Sequence, residues 1–272
     1  MISQSRAVVQ NGAMRVLPAL ALLFLPSAAE ADPIKGPPLD TGFAISLSAP
    51  SLKPSPGIGV YELDLFDAEQ PVIDTLHAAG GFVICYFSAG SFEDWRPDVA
   101  RFPKDVLGKA YEGWPGERWL DIRRREVLAP ILEARLDLAT RKDCDAVDPD
   151  NVDGFSIQTG FAISVNDQRA FNRWLAEAAH ARGLAIGLKN AAELVPDLVD
   201  VFDFAVVESC AAQKACDDHS AFSKRGKAVF QIEYRGEIED WSSVCRDAKG
   251  LRFTAILANL ELDGDVARCP ME

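Results

Sequence analysis

The residues of this chain best suited to chemistry are carboxylates gathered where apolar runs stop. The segment Cys144 to Phe155 reads as a short strand, Ala146 to Asp148, running into a loop that carries Asp148, Asp150 and Asp153. Pro149 and Gly154 stop either periodic element from continuing through it. A further acid, Glu208, closes the apolar run Phe204 to Val207. Two carboxyl groups across one cleft supply what cleavage of a glycosidic bond requires, a protonated acid for the leaving oxygen and an ionised group to act as nucleophile or base. A neighbour such as Lys189, or another Asp, would separate their pKa values.

Other chemistries are poorly served. Of the three histidines, His77 and His180 fall on helical stretches away from the strand ends, which disfavours a Ser-His-Asp triad. His180 lies near a helix C-terminus, where a cation is stabilised anyway. There is no phosphate loop, and Gly57-Ile58-Gly59 lacks the third glycine and the helix of a dinucleotide site. Asp148, Asp150 and Asp153 are candidate ligands for a hard cation, but Pro149 breaks the spacing of a calcium loop. No C-x-x-C is present. Neither a metal nor a cofactor is expected. The formal charge of -13 argues against a nucleic-acid partner. That acidity either serves solubility or draws a cationic substrate into the cleft.

The elements that must position these groups begin after a leader. Arg6 and Arg15 precede the apolar run Val16 to Leu25, and Ala29-Glu30-Ala31 supplies a small-residue cleavage site before Asp32. Residues 1–31 are therefore expected to be a signal peptide cut after Ala31, and the mature protein secreted or periplasmic. The run is too short to span a bilayer and no second one follows, so no stable membrane insertion is expected. Residues 32–41, rich in Pro, Gly and Asp, suit a flexible lead-in, and residues 42–272 form the folded domain, expected to be monomeric. All six cysteines fall there, and an oxidising compartment favours disulfides. Several connectivities are open to six cysteines. The expected pairs are Cys85 with Cys144, Cys210 with Cys216 and Cys245 with Cys269.

Eight short runs dominated by Val, Ile, Phe and Leu read as strands covered on both faces: Phe43 to Leu47, Val60 to Leu65, Phe82 to Phe87, Ala146 to Asp148, Leu184 to Leu188, Phe204 to Val207, Ala228 to Ile232 and Phe253 to Leu257. Helical stretches lie between them. In Asp167 to Arg182, Phe171, Trp174, Leu175 and Ala178 share one face and Gly183 stops the helix. Gln70 to Ala79, Glu126 to Arg141 and Ala191 to Asp200 are less regular. This alternation predicts a single (β/α)8 barrel, with an open doubly wound sheet as the second choice. The long connection from Phe87 to Glu126 holds Phe92, Trp95, Tyr111, Trp114 and Trp119. Connections of that length are usually functional. These aromatics either form a mini-core that pins the loop or a platform for the faces of sugar rings.

In a barrel the carboxyl ends of the strands build the site. Seven of the eight runs end in polar residues: Asp64; Tyr86, Ser88 and Gly90; Asp148 and Asp150; Lys189 and Asn190; Glu208; Glu233 and Tyr234; Asn259 and Glu261. Each alone serves equally as a helix cap or loop hydrogen bond. Together they predict a polar pocket.

The stretch Ile84-Cys85-Tyr86-Phe87-Ser88-Ala89-Gly90-Ser91, followed by Glu93, Asp94, Trp95, Arg96, Pro97 and Asp98, closely resembles a signature of glycoside hydrolase family 114, the endo-α-1,4-polygalactosaminidase-like proteins. Trp114 to Asp121, Asp148 to Gly154, Gly187-Leu188-Lys189-Asn190 and Glu208-Ser209-Cys210 resemble the same family, in the same order. The resemblance implies a (β/α)8 barrel that hydrolyses α-1,4-linked galactosamine in exopolysaccharide, a cationic amino-sugar polymer. Carried over by position, Asp150 would be the nucleophile and Glu208 the general acid/base. Asp64, Tyr86, Ser88, Asp148, Asn151, Lys189, Asn190, Glu233 and Tyr234 would line the pocket, hold the sugar or tune the acids. The chain departs from the family pattern at Phe43, Asp148, Ala191 and Ala215, which bears on the choice of sugar. A barrel that binds carbohydrate without turnover, or a glycosidase for another amino-sugar polymer, is the alternative; a deacetylase would need a histidine-rich metal site or a triad.

Overall fold

The computed structural model describes residues 34–48 and 51–270, together with Ala7; apart from Ala7, the signal peptide expected over residues 1–31 lies outside the described residues. In chain order, β1 (Gly42–Ser46), β2 (Ile58–Asp64) and α1 (Gln70–Ala78) lead to β3 (Phe82–Ser88). The long connection then folds into β4 (Ser91–Glu93), β5 (Leu107–Ala110) and β6 (Glu117–Leu120). After α2 (Arg125–Arg141) come β7 (Ala146–Asp150), α3 (Val165–His180), β8 (Ala185–Lys189), α4 (Val195–Leu198) and β9 (Phe204–Glu208). The chain closes with α5 (Cys210–Gln213), α6 (Ser220–Lys224), β10 (Val229–Tyr234), α7 (Trp241–Leu251), β11 (Thr254–Ala258) and β12 (Val266–Arg268).

The main sheet runs β1-β2-β3-β7-β8-β9-β10-β11-β12. It is parallel through β11, and β12 returns antiparallel. The ends meet: Arg268 Nε donates to Phe43 O at 3.1 Å and Leu47 N to Leu262 O at 2.7 Å. The result is a (β/α)8 barrel of eight parallel strands, each within two residues of its expected bounds.

Side chains alternate along a strand, so each barrel strand has one row inside and one row against the helices. Phe43, Ile45, Val60, Ile84, Ala146, Ala185, Phe204, Val206, Phe230, Ile232 and Ile256 pack together inside the barrel. The opposite rows, such as Leu63, Val83, Val147, Ile186, Ala205 and Val229, join the helices in the larger core. Toward the carboxyl end the inner row turns polar: Val60 gives way to Glu62 and Asp64, Ala146 to Asp148 and Asp150, Val206 to Glu208. Gly187 falls in the same row because a side chain there would meet the Phe204 ring at 2.5 Å.

Helix α3 begins at a capping box, in which Ser164 Oγ accepts from Asp167 N at 3.1 Å and Asp167 Oδ2 from Ser164 N at 2.9 Å. The helix expected over 191–200 is a single 3-10 turn followed by the four residues of α4, because Ala191 takes the left-handed region at φ 52°. Helix α7, with Asp240 as its cap, went unpredicted. The expected lead-in is laid against the barrel: Ile34 packs on the inner cluster and Pro37 is buried.

The long connection is a small domain wall. Its strands form a sheet in the order β4-β6-β5, and Phe92 and Phe102 meet edge to face at 5.6 Å. Two buried arginines rivet it down. Arg135 of α2 donates to both oxygens of Asp98 at 2.8 and 2.9 Å and to Ser88 O at 2.6 Å. Arg96 bridges Asp64 at 2.7 Å and Glu93 at 2.8 Å. All three expected disulfides are formed.

Where β3 hands over to this wall, the chain passes so close to β7 that only glycine fits. Ala89 N and Gly90 N both donate to Asp150 O, at 2.9 and 3.1 Å, and a Cβ on Gly90 would lie 1.7 Å from Asn151 O. Gly90→Ala is therefore expected to destabilise the protein by about 2–4 kcal/mol. Gly250→Ala, in open space on α7, should be neutral or stabilising by up to about 1 kcal/mol. Urea unfolding with the disulfides intact measures both.

Candidate active site

A cleft of ≈ 790 Å³ opens over the carboxyl ends of the strands. At its floor lies the Lys189 ammonium, 2% exposed, with Asp148 Oδ2 at 3.5 Å, Asp150 Oδ1 at 3.6 Å and Glu208 Oε2 at 3.5 Å. Burial opposes the charge on Lys189, but the carboxylates of Asp150, Glu208 and Asp148 outweigh it and raise its pKa. Asp150 and Glu208 thus stand on two strands, β7 and β9, and share one cation.

Each of the two acids has its own tyrosine. Tyr86 OH donates to Asp150 Oδ2 at 2.9 Å, and Tyr234 OH donates to Glu208 Oε1. Burial and the adjacent carboxylates push both phenols up, so they remain donors. The remaining partners differ. Asp150 Oδ1 also accepts from the backbone N–H of Asn151 at 2.8 Å. Glu208 Oε2 accepts from the side-chain amide of Asn190 at 3.3 Å, while Glu208 N donates to Asn190 Oδ1 at 2.9 Å.

These contacts depend on a strained backbone just past the strands. Asn151 (φ 62°), Asn190 (φ 49°), Ala191 (φ 52°) and Ser209 (φ 53°) all occupy the left-handed region. His219 helps hold Asn190 there, with Nε2 donating to Asn190 O at 2.9 Å. Burial lowers the pKa of His219, consistent with a neutral ring. The Asn151 amide is taken up by protein partners, donating to Ser88 Oγ at 2.9 Å, Ser91 Oγ at 3.0 Å and Glu117 Oε1 at 3.1 Å.

The structure brings Asp150, Glu208, Lys189, Tyr86, Asn190 and Tyr234 together at one floor. Asp148 and Ser88 lie below it, fully buried. Asp64 reaches the cleft edge but is held by Arg96 and caps Phe66 N at 2.8 Å. Glu233 is a correction. It neighbours Tyr234 on β10, and alternation sends it to the helix side, where it is fully buried and accepts from Ala211 N at 2.8 Å and Gln231 Nε2 at 2.8 Å. His77 and His180 pair with Asp145 and Asp203, residues that precede β7 and β9, far along the strands from the cleft. Glu62, Glu117 and His219 had no assigned role from sequence. Among the described residues the trio close enough to share an ion is Cys210, Cys216 and Glu233, but the two sulfurs are joined to each other.

The aromatics of the long connection divide between the two expected roles. Trp119 is buried and stacks on Tyr111 at 4.8 Å. Trp95 and Trp114 are 50% and 44% exposed on the cleft rim, free to stack on a ligand.

Burial, with Glu93 and Asp150 nearby, raises Glu117 from 4.5 to about 7 against hydrogen bonds from Ser91 and Asn151. The folded state therefore holds a proton that the unfolded chain has lost, so this group's contribution to stability falls as pH rises from about 4.5 to about 7. Glu117→Gln should remove that slope. Denaturant unfolding at the two ends of this window is expected to show the variant gaining about 1–3 kcal/mol on wild type toward the upper end.

Residues 25–272 match the model of glycoside-hydrolase family GH114. No curated protein matches the chain. Among solved structures, Aspergillus fumigatus Ega3 in complex with galactosamine superposes with a TM-score of 0.81 at 37% identity, over 88% of this chain and 98% of that one. The glycoside hydrolase domain of PelA from Pseudomonas aeruginosa gives 0.66 at 17% identity, over 86% and 99% of the two chains. A GH18 chitinase from Pseudoalteromonas aurantia gives 0.53 at 11%, over 83% and 96%; these two share the fold. With its polar barrel mouth and the match over nearly its whole length, the chain belongs to glycoside-hydrolase family GH114.

Proposed function

We propose that this glycoside hydrolase is exported and cleaves α-1,4-linked galactosamine within an exopolysaccharide, using Asp150 as nucleophile and Glu208 as general acid/base. The observation that carries the pair is their common contact with Lys189 at the floor of the cleft. The division of roles follows from their partners. One donor to Asp150 is a backbone N–H, which cannot turn into an acceptor, so Asp150 is best held as the anion. Glu208 has the Tyr234 hydroxyl, which can accept as well as donate, and only a longer bond from the Asn190 side-chain amide at 3.3 Å, so it is the freer of the two to carry a proton or release it.

In the first step an Asp150 oxygen attacks the anomeric carbon as the glycosidic C–O bond breaks, and the leaving oxygen takes the Glu208 proton. In the second, a water attacks the same carbon, gives its proton to Glu208 and frees Asp150. Lys189 offsets the charge on whichever of the two acids is ionised at each stage.

The substrate reading rests on charge and on likeness. Nine acids line the cleft, Asp64, Asp67, Glu93, Glu117, Asp150, Asp153, Glu193, Glu208 and Glu261, against Arg96 and Lys189. Both of those cations are already paired. A sugar bearing a free ammonium suits that balance, and Ega3 was solved with galactosamine. The rim aromatics Trp95 and Trp114 favour a chain of sugars passing over the site rather than one terminal residue. Three disulfides suit an oxidising compartment, and no helix of the described residues is long and apolar enough to cross a membrane.

The test is mass spectrometry of oligosaccharides released from partly deacetylated α-1,4-galactosaminogalactan. Wild type should release galactosamine oligomers, and folded Asp150→Asn and Glu208→Gln should be slower by about 10²–10⁴-fold. No release by folded wild type would overturn the substrate assignment, and undiminished release by Glu208→Gln would overturn the roles.

A further inference from the structure

We infer that Glu62 is a positioning residue: from β2, beneath the cleft floor, it keeps a proton and donates it to Asp148, so that Asp148 is the anion that anchors Lys189 from below. The inference deepens the proposed mechanism and rests on it for the identity of the reacting acids.

Glu62 is 0% exposed and lies in the inner row of β2 between Val60 and Asp64. No N–H or hydroxyl among the described residues reaches either of its carboxyl oxygens, and Asp148 Oδ1 also lacks such a donor. Both acids are fully buried in the inner rows of their strands, with these three oxygens orphaned, and each acts on the protonation of the other through a side-chain contact. Two ionised carboxylates present acceptors alone and repel, so this contact requires a proton between them.

The surroundings say which acid holds it. Asp148 Oδ2 faces the Lys189 ammonium at 3.5 Å, which favours its charge. Glu62 has no ion-pair contact of its own among the described residues, and its register neighbours, Ile45 on β1 and Ile84 on β3, are apolar. The ionisable groups whose charges act on Glu62 are Asp148, Lys189 and Glu208. Burial raises Glu62 well above the usual carboxylate range, and the Asp148 charge adds to this while Lys189 opposes it. Burial raises Asp148 as well, to about 6, with Lys189 and the contact with Glu62 acting to keep it ionised.

The arrangement matters for the reaction because Lys189 is shared. Its three carboxylate contacts are nearly equal in length, so Asp148 does not claim it at the expense of Asp150 and Glu208. The Glu62 proton occupies the second oxygen of Asp148. Without that donor, an unpaired buried carboxylate oxygen would compete for the ammonium and draw it down from the two reacting acids.

Two measurements test this on the full mature protein. The first is infrared spectroscopy at about pH 9, above the range in which Glu117 and Asp153 titrate. Wild type and Glu208→Gln should both show the C=O stretch of a protonated carboxylic acid, and Glu62→Gln should lack it. A wild type without the band, or a band that persists in Glu62→Gln, overturns the inference whether or not the polymer is cleaved. The second is kinetics on the galactosamine polymer. Glu62→Leu should lower kcat by about tenfold or more with little change in KM, whereas Glu62→Gln, which still offers an N–H to Asp148, should return to within about threefold of wild type. The pH profile of Glu62→Gln should follow that of wild type. A Gln variant as impaired as the Leu variant, or one with a displaced acid limb, overturns the inference. If Glu62→Leu does not fold, the infrared band and the Gln profile decide. A folded wild type with no turnover would instead sink the proposed function and leave the infrared arm standing.

Discussion

The buried Lys189 ammonium is the contact on which the rest of the site depends. A charge taken out of water is costly unless paired, and a buried pair that loses one member leaves the other uncompensated. Here one cation serves three acids from two strands. Several local choices follow from that need. Gly187, two residues earlier on β8, yields its space to the Phe204 ring so that β8 and β9 can pack. Asn190, one residue later, takes a left-handed backbone that returns its amide to Glu208. The barrel supplies the register, and the strained turns supply the aim.

A second set of buried charges holds the rim as Lys189 holds the floor. Arg135 and Arg96 join α2 and the end of β2 to the three-stranded wall. That wall carries Trp95 and Trp114 to the cleft mouth and brings Glu117 against Asn151, whose backbone N–H fixes Asp150. The long connection is thus part of the site twice over, as a surface above the cleft and as a brace behind one of its acids. Arginine suits both places because its planar fork satisfies two partners at once.

The barrel was legible in the sequence because its strands are short, β-branched and separated by helices, and eight such runs leave few other architectures. Asp150, Glu208, Lys189 and Tyr234 were legible as the polar residues that finish those runs. The errors have a common physical source. Reading the end of β10 as a place rather than a direction put Glu233 in the cleft beside Tyr234, although consecutive strand residues face opposite ways. The same alternation, counted back from Asp64, would have found Glu62 inside the barrel. His219 carries no such signal, since it reaches Asn190 from a separate turn through a contact that only the fold creates. Helix α7 does carry a signal, since Trp241, Val244, Cys245, Ala248 and Leu251 fall at i, i+3, i+4, i+7 and i+10 behind Asp240 as the cap.

An acid-rich barrel mouth must limit its own repulsion, and this one does so in three ways that also separate the acids by function. Asp64 and Glu93 are buried and paired with Arg96. Glu62, Asp153 and Glu117 are pushed up by burial and so retain protons over part or all of the range where a free carboxylate would be ionised. Asp67, Glu193 and Glu261 stay at the rim, where water screens them. Asp150 and Glu208 are neither buried like the first of these groups nor open to water like the last. Their side chains are about one-fifth exposed, 20% and 22%, yet each is held by a tyrosine and by Lys189. Being open to a ligand while fixed in place is the combination that acid/base and nucleophilic work requires. That combination supports the roles proposed for the two acids.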